Sequence, residues 1–211
     1  MFSKFRKDFP TLNGENPPVY LDNACMTLRP NSVIEAIRSY YEESPGCGGR
    51  SVHRYATTVS RKMMNCRKKM ADLFNANQSD EIVFTKNATH SLNQVAKGLS
   101  WEKGDIVLTT DREHNSNLVP WLQLEEEQGI DHRVIKSNDD NTFNLENFEN
   151  ACAEAGSKLK MVSLSHVGNL DGIATPVKEA AKIAKDFGAM VCIDGAQSTP
   201  HMKVDVQDLG I

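Results

Sequence analysis

Four short apolar segments of the sequence are each followed by polar residues that could bind a ligand or move a proton. These polar groups are Ala88-Thr89, His114, His166 with Asn169, and Asp194 with Gln197. A helix N-terminus beside a hydroxyl group suits an anion such as phosphate, an imidazole can carry protons, and a buried carboxylate needs a positive partner. A ligand with both a phosphate and a protonated ring nitrogen would use all of these groups.

Each of these residues also has an ordinary structural interpretation. Thr89 is a suitable helix cap, which would not require a phosphate. A single histidine such as His114 in a loop is more often a surface or packing residue, and Asp194 could cap a helix or a turn. Ligands bind outside the carboxyl ends of parallel strands, so polar groups at four separate strand ends favour a site over coincidence.

The elements that would position these residues alternate along the chain. The candidate strands are Ile82–Thr85, Asp105–Thr109, Arg133–Ile135, Met161–Ser165 and Met190–Asp194. The spacing of Leu92, Val95, Ala96 and Leu99 predicts an amphipathic helix. Thr175 and Pro176 predict the start of another helix, which Gly188 ends. Strands separated by helices predict an α/β domain with a mainly parallel sheet flanked by helices.

The first part of the chain has a different pattern. One helix is predicted near Asn31–Tyr41 and a long one from about Thr58 to Phe74, with a turn-rich stretch between them. We therefore predict an N-terminal helical arm over residues 1–50 and a larger domain over residues 51–211.

Composition narrows the class of protein. Of 211 residues, 39% are hydrophobic and 25% are charged, as in ordinary soluble globular proteins. The net charge of -4 argues against a nucleic-acid binder. The five scattered cysteines form no Cys-x-x-Cys pair, so no metal site is expected. The first residues lack the apolar core of a signal peptide, and no stretch is long enough to span a bilayer, so we expect a cytoplasmic protein without a membrane partner.

Several motifs in order along the chain resemble one enzyme family. They are Tyr20–Ala24, Val52–Arg54, Glu81–Thr85, the Glu-His-x-x-Asn-x-x-Pro-Trp segment Glu113–Trp121, Ser165–Asn169, and the Asp-Gly-Ala-Gln segment Asp194–Gln197. Together they are similar to the class V aminotransferases among the fold-type I pyridoxal-phosphate (PLP) enzymes, specifically the cysteine desulfurase/selenocysteine lyase branch. The resemblance covers essentially the whole chain.

The resemblance implies PLP as cofactor and a role for each matching position. Asp194 would pair with the pyridinium nitrogen and Gln197 with the phenolic oxygen of the ring. His114 would stack on the ring and carry protons in catalysis, and Thr89 with Ala88 would hold the phosphate. Asn169 would be a cofactor- or substrate-side contact, and His53 with Arg54 would belong to the substrate side. The substrate would be a cysteine-like amino acid, with sulfur passed to an acceptor and alanine left behind.

This sequence also departs from the family pattern. Ala88 and His90 flank Thr89 where relatives often have a glycine or threonine before it and an acidic residue after it, and Cys25 replaces an alanine. The family lysine that binds the cofactor, in a Ser-x-His-Lys pattern, is expected beyond Asp194, and the 211 residues contain no such pattern. The cysteine that forms the persulfide and the arginine that binds the substrate carboxylate are likewise expected in the C-terminal half of the chains of family members.

Three interpretations remain open from the sequence. The chain is expected to be the N-terminal, cofactor-binding portion of a cysteine desulfurase-like enzyme and inactive alone, acting as a homo-oligomer or with a complementing C-terminal chain. Alternatively, it is part of another class V aminotransferase or of a kynureninase-like lyase. A third interpretation is a non-catalytic protein that keeps the fold.

Overall fold

The computed structural model describes residues 3–211. The chain divides into two compact units, Met1–Lys69 and Met70–Ile211. The sequence-based division into residues 1–50 and 51–211 stays a prediction about domains.

The first unit is helical. Its helices are α1 (Ser3–Arg6), α2 (Asn31–Glu43) and the larger part of α3 (Arg54–Phe74), which continues into the second unit. Both predicted helices are confirmed, although α3 begins at Arg54 rather than near Thr58. The basic runs in α3, Arg61-Lys62 and Arg67–Lys69, are mostly exposed, as expected for a solvated helix face.

The second unit alternates helices and strands. Its helices are α4 (Ala88–Gly98), α5 (Asn115–Gln128), α6 (Leu145–Ala155) and α7 (Val177–Asp186). Its strands are β1 (Ile106–Thr110), β2 (Asp131–Ile135), β3 (Leu159–Ser165) and β4 (Met190–Asp194). The strands form one sheet in the order β2-β1-β3-β4, and every neighbouring pair is parallel. The predicted α/β fold, a mainly parallel sheet flanked by helices, is confirmed.

Alternate residues of the strands face two separate apolar cores. On one face, Leu108 and Leu164 pack with Phe148 of α6 and Ala180 of α7. On the other face, Val107 and Met161 pack with residues of α4 and α5, including the fully buried Trp121. Because β1 and β3 are covered on both faces, they consist mainly of buried residues. This three-layer arrangement holds the carboxyl ends of the strands in fixed positions.

Two sequence-based predictions about elements are wrong. Ile82–Thr85 is extended but is not a strand, and Val83 is 71% exposed. A strand needs a neighbour for its backbone hydrogen bonds, and none of the described residues pairs with this segment in a sheet. Thr175 does not cap α7, because Pro176 occupies the N-cap position and the backbone N–H of Thr175 donates to the carbonyl of His166. Among residues 3–211, no helix combines the length and the apolar character required to cross a bilayer.

Candidate active site

Three of the polar positions that the sequence singled out, His114, His166 and Asp194, lie at or just after the carboxyl ends of β1, β3 and β4, whereas Ala88-Thr89 follows a segment that is not a strand. In the sheet register, Ser165 at the end of β3 pairs with Asp194 at the end of β4. The segment after β1 leads through Glu113 and His114 directly into α5. Parallel strands thus bring residues that are distant in sequence to one edge of the sheet, as the sequence predicted.

Glu113 connects three of these elements through its carboxylate. One oxygen accepts hydrogen bonds from the Thr110 hydroxyl (2.7 Å) and the Ser165 backbone N–H (3.1 Å). The other accepts from the Ser165 hydroxyl (2.7 Å) and from Nδ2 of Asn117 (2.7 Å). Asn117 is fully buried, and its Oδ1 accepts in turn from the hydroxyl of Ser163 on β3 (2.5 Å). Glu113 therefore fixes the start of α5 against the ends of β1 and β3.

His114 is the N-cap residue of α5, and its ring orientation is set by that role. The Nδ1 atom accepts a hydrogen bond from the backbone N–H of Ser116 (3.1 Å) and lies 2.9 Å from the Ser116 hydroxyl. Because the backbone group can only donate, Nδ1 carries no proton, and in the neutral ring the proton is on Nε2. The residue is exposed, so its imidazole can contact a ligand.

The N-terminus of α4 lies beside that of α5. The N-cap is Asn87, whose side chain accepts from the backbone N–H of His90 (2.9 Å). The capping interpretation of Thr89 is therefore wrong, and its hydroxyl instead lies 2.7 Å from the Ser116 hydroxyl on α5. The N–H groups of Ala88 and Thr89 belong to the first turn, which has no intrahelical acceptors for them and contains no acidic side chain. Free N–H groups at a helix N-terminus without a nearby negative charge favour the binding of an anion.

Asp194 lies in the wall of a cavity of about 430 Å³. The cavity is mainly apolar and is also lined by Ala88, Ser91, His166 and Cys192. Its volume is within the range of small-molecule sites. Asp194 is only 8% exposed, and its Oδ1 accepts from the backbone N–H of Ala196 (3.0 Å). This is the predicted turn cap, and it holds the carboxylate in place at the cavity wall.

Two further residues of the cavity wall are uncharged at neutral pH. His166 is 5% exposed, and its buried Nδ1 has no hydrogen-bond partner among the described residues. Burial lowers the pKa of the imidazole. Burial also raises the pKa of the Cys192 thiol to about 11. The raised pKa favours the protonated thiol at neutral pH, and a protonated thiol is a poor nucleophile.

The loop after β3 carries Asn169 and is tightly folded. Asp171 is paired with Arg112 from the segment after β1, and its Oδ1 accepts from the backbone N–H of Ile173 (3.0 Å). A Cβ atom at Gly168 would lie 2.5 Å from that same Oδ1, so a larger residue there would push the Asp171 carboxylate away from these partners. Asn169 is half-buried in this loop.

The other predicted site residues are distributed as follows. Gln197 is half-buried in the turn after β4. His53 and Arg54 lie in the first unit, at the start of α3, where His53 Nδ1 is 3.5 Å from the backbone N–H of Ala56. Three residues with contacts at the site, Asn87, Glu113 and Ser116, have no role predicted from the sequence. Asparagine is a preferred N-cap residue, so the cap at Asn87 could have been predicted, but no sequence pattern indicates the contacts of Glu113 and Ser116.

The chain is similar to known proteins along almost its whole length. A sequence model of the family Aminotransferase class-V matches residues 19–211. A probable cysteine desulfurase from Methanothermobacter thermautotrophicus is 40% identical over 205 residues, which are 97% of this chain and 49% of that protein. The apo structure of cysteine desulfurase from Thermococcus onnurineus NA1 superposes with a TM-score of 0.89 at 38% identity, covering 98% of this chain and 50% of that one.

A more distant structure has the same fold. C-DES with glycine covalently linked to the PLP cofactor superposes with a TM-score of 0.83 at 24% identity, covering 98% of this chain and 53% of that one, and this likeness shows the fold alone. The chain spans about half the length of the relatives it matches. The family match and the site at the strand ends agree, and we conclude that the chain belongs to the class-V aminotransferase family, as a cysteine desulfurase-like member.

Proposed function

We propose that this chain is the N-terminal, cofactor-binding portion of a PLP-dependent cysteine desulfurase. The observation that carries the proposal is the buried carboxylate of Asp194 in the wall of a 430 Å³ cavity, in a chain whose family members include cysteine desulfurases. A carboxylate taken out of water needs a positive partner, and a protonated pyridine ring would supply one.

The residues around the cavity fit the other parts of PLP. The free N–H groups at the start of α4 and the Thr89 hydroxyl would bind the phosphate, with Ala88 in the cavity wall. The unpaired Nδ1 of His166 indicates that the cavity accepts a polar group as well as an apolar ring.

PLP would supply an electron sink for bond cleavage in an amino-acid substrate. Asp194 would keep the proton on the ring nitrogen, and Gln197 would donate to the phenolic oxygen. His114 would stack on the ring and move a proton at Nε2, because Nδ1 is occupied by the backbone of α5. Asn169 would contact the cofactor or the substrate, and His53 with Arg54 would belong to the substrate side.

We further propose that the 211-residue chain alone does not turn over cysteine, because it contains no Ser-x-His-Lys segment. A complementing C-terminal chain would supply this segment, whereas a homo-oligomer of this chain alone would not. A cytoplasmic location is proposed from its five free thiols, since disulfides form mainly in oxidising compartments.

Cofactor binding can be tested on this chain without turnover. Calorimetric titration with pyridoxamine 5′-phosphate should give saturable binding, and pyridoxamine without phosphate should bind more weakly. Thr89→Ala should weaken binding of the phosphorylated compound by about tenfold to hundredfold, because a hydrogen bond to a charged group contributes about 1.5–3 kcal/mol. Asp194→Asn should weaken binding of both compounds and reduce the pyridinium form seen in the absorption spectrum of the bound ring.

The matched control is Asp139→Asn, which changes an exposed carboxylate outside the site. Each variant is also melted, since loss of the Asp194 turn cap alone would lower stability but leave binding to the folded protein intact. Equal affinity for pyridoxamine 5′-phosphate in Asp194→Asn and Asp139→Asn would contradict the proposed position of the ring. Alanine release from cysteine by the chain with added PLP would contradict its proposed inactivity.

A further inference from the structure

Three side chains link the N-termini of α4 and α5 in a continuous series of hydrogen bonds. Thr89 Oγ1 lies 2.7 Å from Ser116 Oγ, which lies 2.9 Å from Nδ1 of His114. The series connects the residue proposed to hold the phosphate with the residue proposed to stack on the ring. Ser116 is the only member shared by both bonds.

The direction of each hydrogen bond follows from the backbone. Nδ1 of His114 already accepts from the Ser116 N–H, so it carries no proton, and the Ser116 hydroxyl is the donor in their contact and shares the one lone pair of Nδ1 with the backbone N–H. A serine hydroxyl has one proton, so Ser116 accepts from Thr89. In this arrangement the Thr89 proton is directed at Ser116 and is not available to an anion.

An anion at the start of α4 would reverse this order. To donate to a phosphate, Thr89 must turn its proton away from Ser116, and its oxygen then accepts the Ser116 proton. Nδ1 of His114 is left with the backbone N–H alone. We propose that Ser116 is a positioning residue that couples phosphate binding at Thr89 to the hydrogen bonding of the His114 imidazole. This inference rests on the proposed function, since it takes the α4 N-terminus as the phosphate site.

The coupling would act through orientation and not through contact with the reacting atoms. In the free chain, the hydroxyl and the backbone N–H of Ser116 both contact Nδ1 of His114 and together fix the orientation of its imidazole ring. With phosphate bound, one of these two donors is withdrawn. The His114 imidazole would therefore become free to adjust to the cofactor ring only once the phosphate is bound.

The test follows the His114 ring nitrogens by ¹⁵N NMR while inorganic phosphate is added to the histidine-labelled chain. The pH is about 8.5, above the usual range of histidine pKa values. Phosphate binding itself is followed by ³¹P NMR. We expect the Nδ1 resonance to move towards that of a less hydrogen-bonded nitrogen and to saturate together with the ³¹P signal. Ser116→Ala should abolish this shift, and Ser116→Thr, which keeps a hydroxyl, should restore it.

Two controls separate this inference from the proposed function. Thr142→Ala removes an exposed hydroxyl that bonds Asp140 and does not line the cavity, and it should leave the shift unchanged. Thr89→Ala should lower the phosphate affinity about tenfold or more. Phosphate binding that does not depend on Thr89 would refute the phosphate site and the coupling together. Thr89-dependent binding with an unmoved Nδ1 resonance, or with the same shift in Ser116→Ala, would refute the coupling alone.

Discussion

Replacing Glu113 should destabilise the chain more than replacing any exposed glutamate. The Glu113 carboxylate accepts four hydrogen bonds, from Thr110, Asn117 and twice from Ser165. Glu113→Ala would leave these donors without an acceptor, and Asn117 is fully buried, so water cannot easily replace the carboxylate there.

The expected loss can be estimated from these contacts. A hydrogen bond to a charged group contributes about 1.5–3 kcal/mol, but the bonds share one carboxylate and the hydroxyl donors can rotate towards other acceptors, so the values do not add. Breaking a buried charged network typically costs about 3–5 kcal/mol. Since Glu113 is only partly buried, we expect a fall of about 3 kcal/mol in the free energy of unfolding. Glu113→Gln keeps one carbonyl acceptor and should lose about half as much.

The assay is urea denaturation followed by tryptophan fluorescence, because Trp121 lies on α5 in the core next to the network and is fully buried. Glu126→Ala is the matched control, since Glu126 is an exposed glutamate on the same helix. A fall of less than about 0.5 kcal/mol for Glu113→Ala, no larger than that of ordinary surface substitutions, would refute the role given to this network.

Three further predictions concern the rest of the second unit. First, the pKa of the Cys192 thiol is raised to about 11 in the folded chain, so as the pH rises this thiol ionises in the unfolded chain before it does in the folded one. The free energy of unfolding should therefore fall by about 1.4 kcal/mol per pH unit from about pH 9 to about pH 11 because of this thiol. A Cys192→Ala chain whose stability falls with pH at a similar slope would contradict this. Second, Gly168→Ala should lower the free energy of unfolding by about 1–3 kcal/mol, measured by a thermal melt, because the new Cβ would lie 2.5 Å from Oδ1 of Asp171. Gly14→Ala is the control and should change the stability little, because a Cβ at that position meets nothing within 4 Å. Third, among residues 3–211 the strand β4 pairs in the sheet with β3 and with no other strand, so the chain should associate at tens of micromolar, and a monomer by light scattering would count against this.

The sequence by itself determined the fold class, and it predicted which strand ends carry the candidate site. Apolar runs and helical periodicity located β1 to β4 and the helices α2, α3, α4 and α7 to within a few residues, because burial on two faces of a parallel sheet or one face of a helix demands those patterns. The helices α5 and α6 were not predicted. The location of His114 and Asp194 after the ends of β1 and β4 followed from the alternation of strands and helices, which makes the carboxyl ends converge, whereas Thr89 follows a segment that is not a strand.

Only the tertiary structure decided which polar groups meet. The Thr89 hydroxyl bonds Ser116, 27 residues away, and Glu113 bonds Ser165, 52 residues away. Local patterns contain no information on such partners. The same reason explains why the strand predicted at Ile82–Thr85 is not formed. These residues have a high propensity for strands, but a strand forms only where a neighbouring strand supplies hydrogen-bond partners for its backbone.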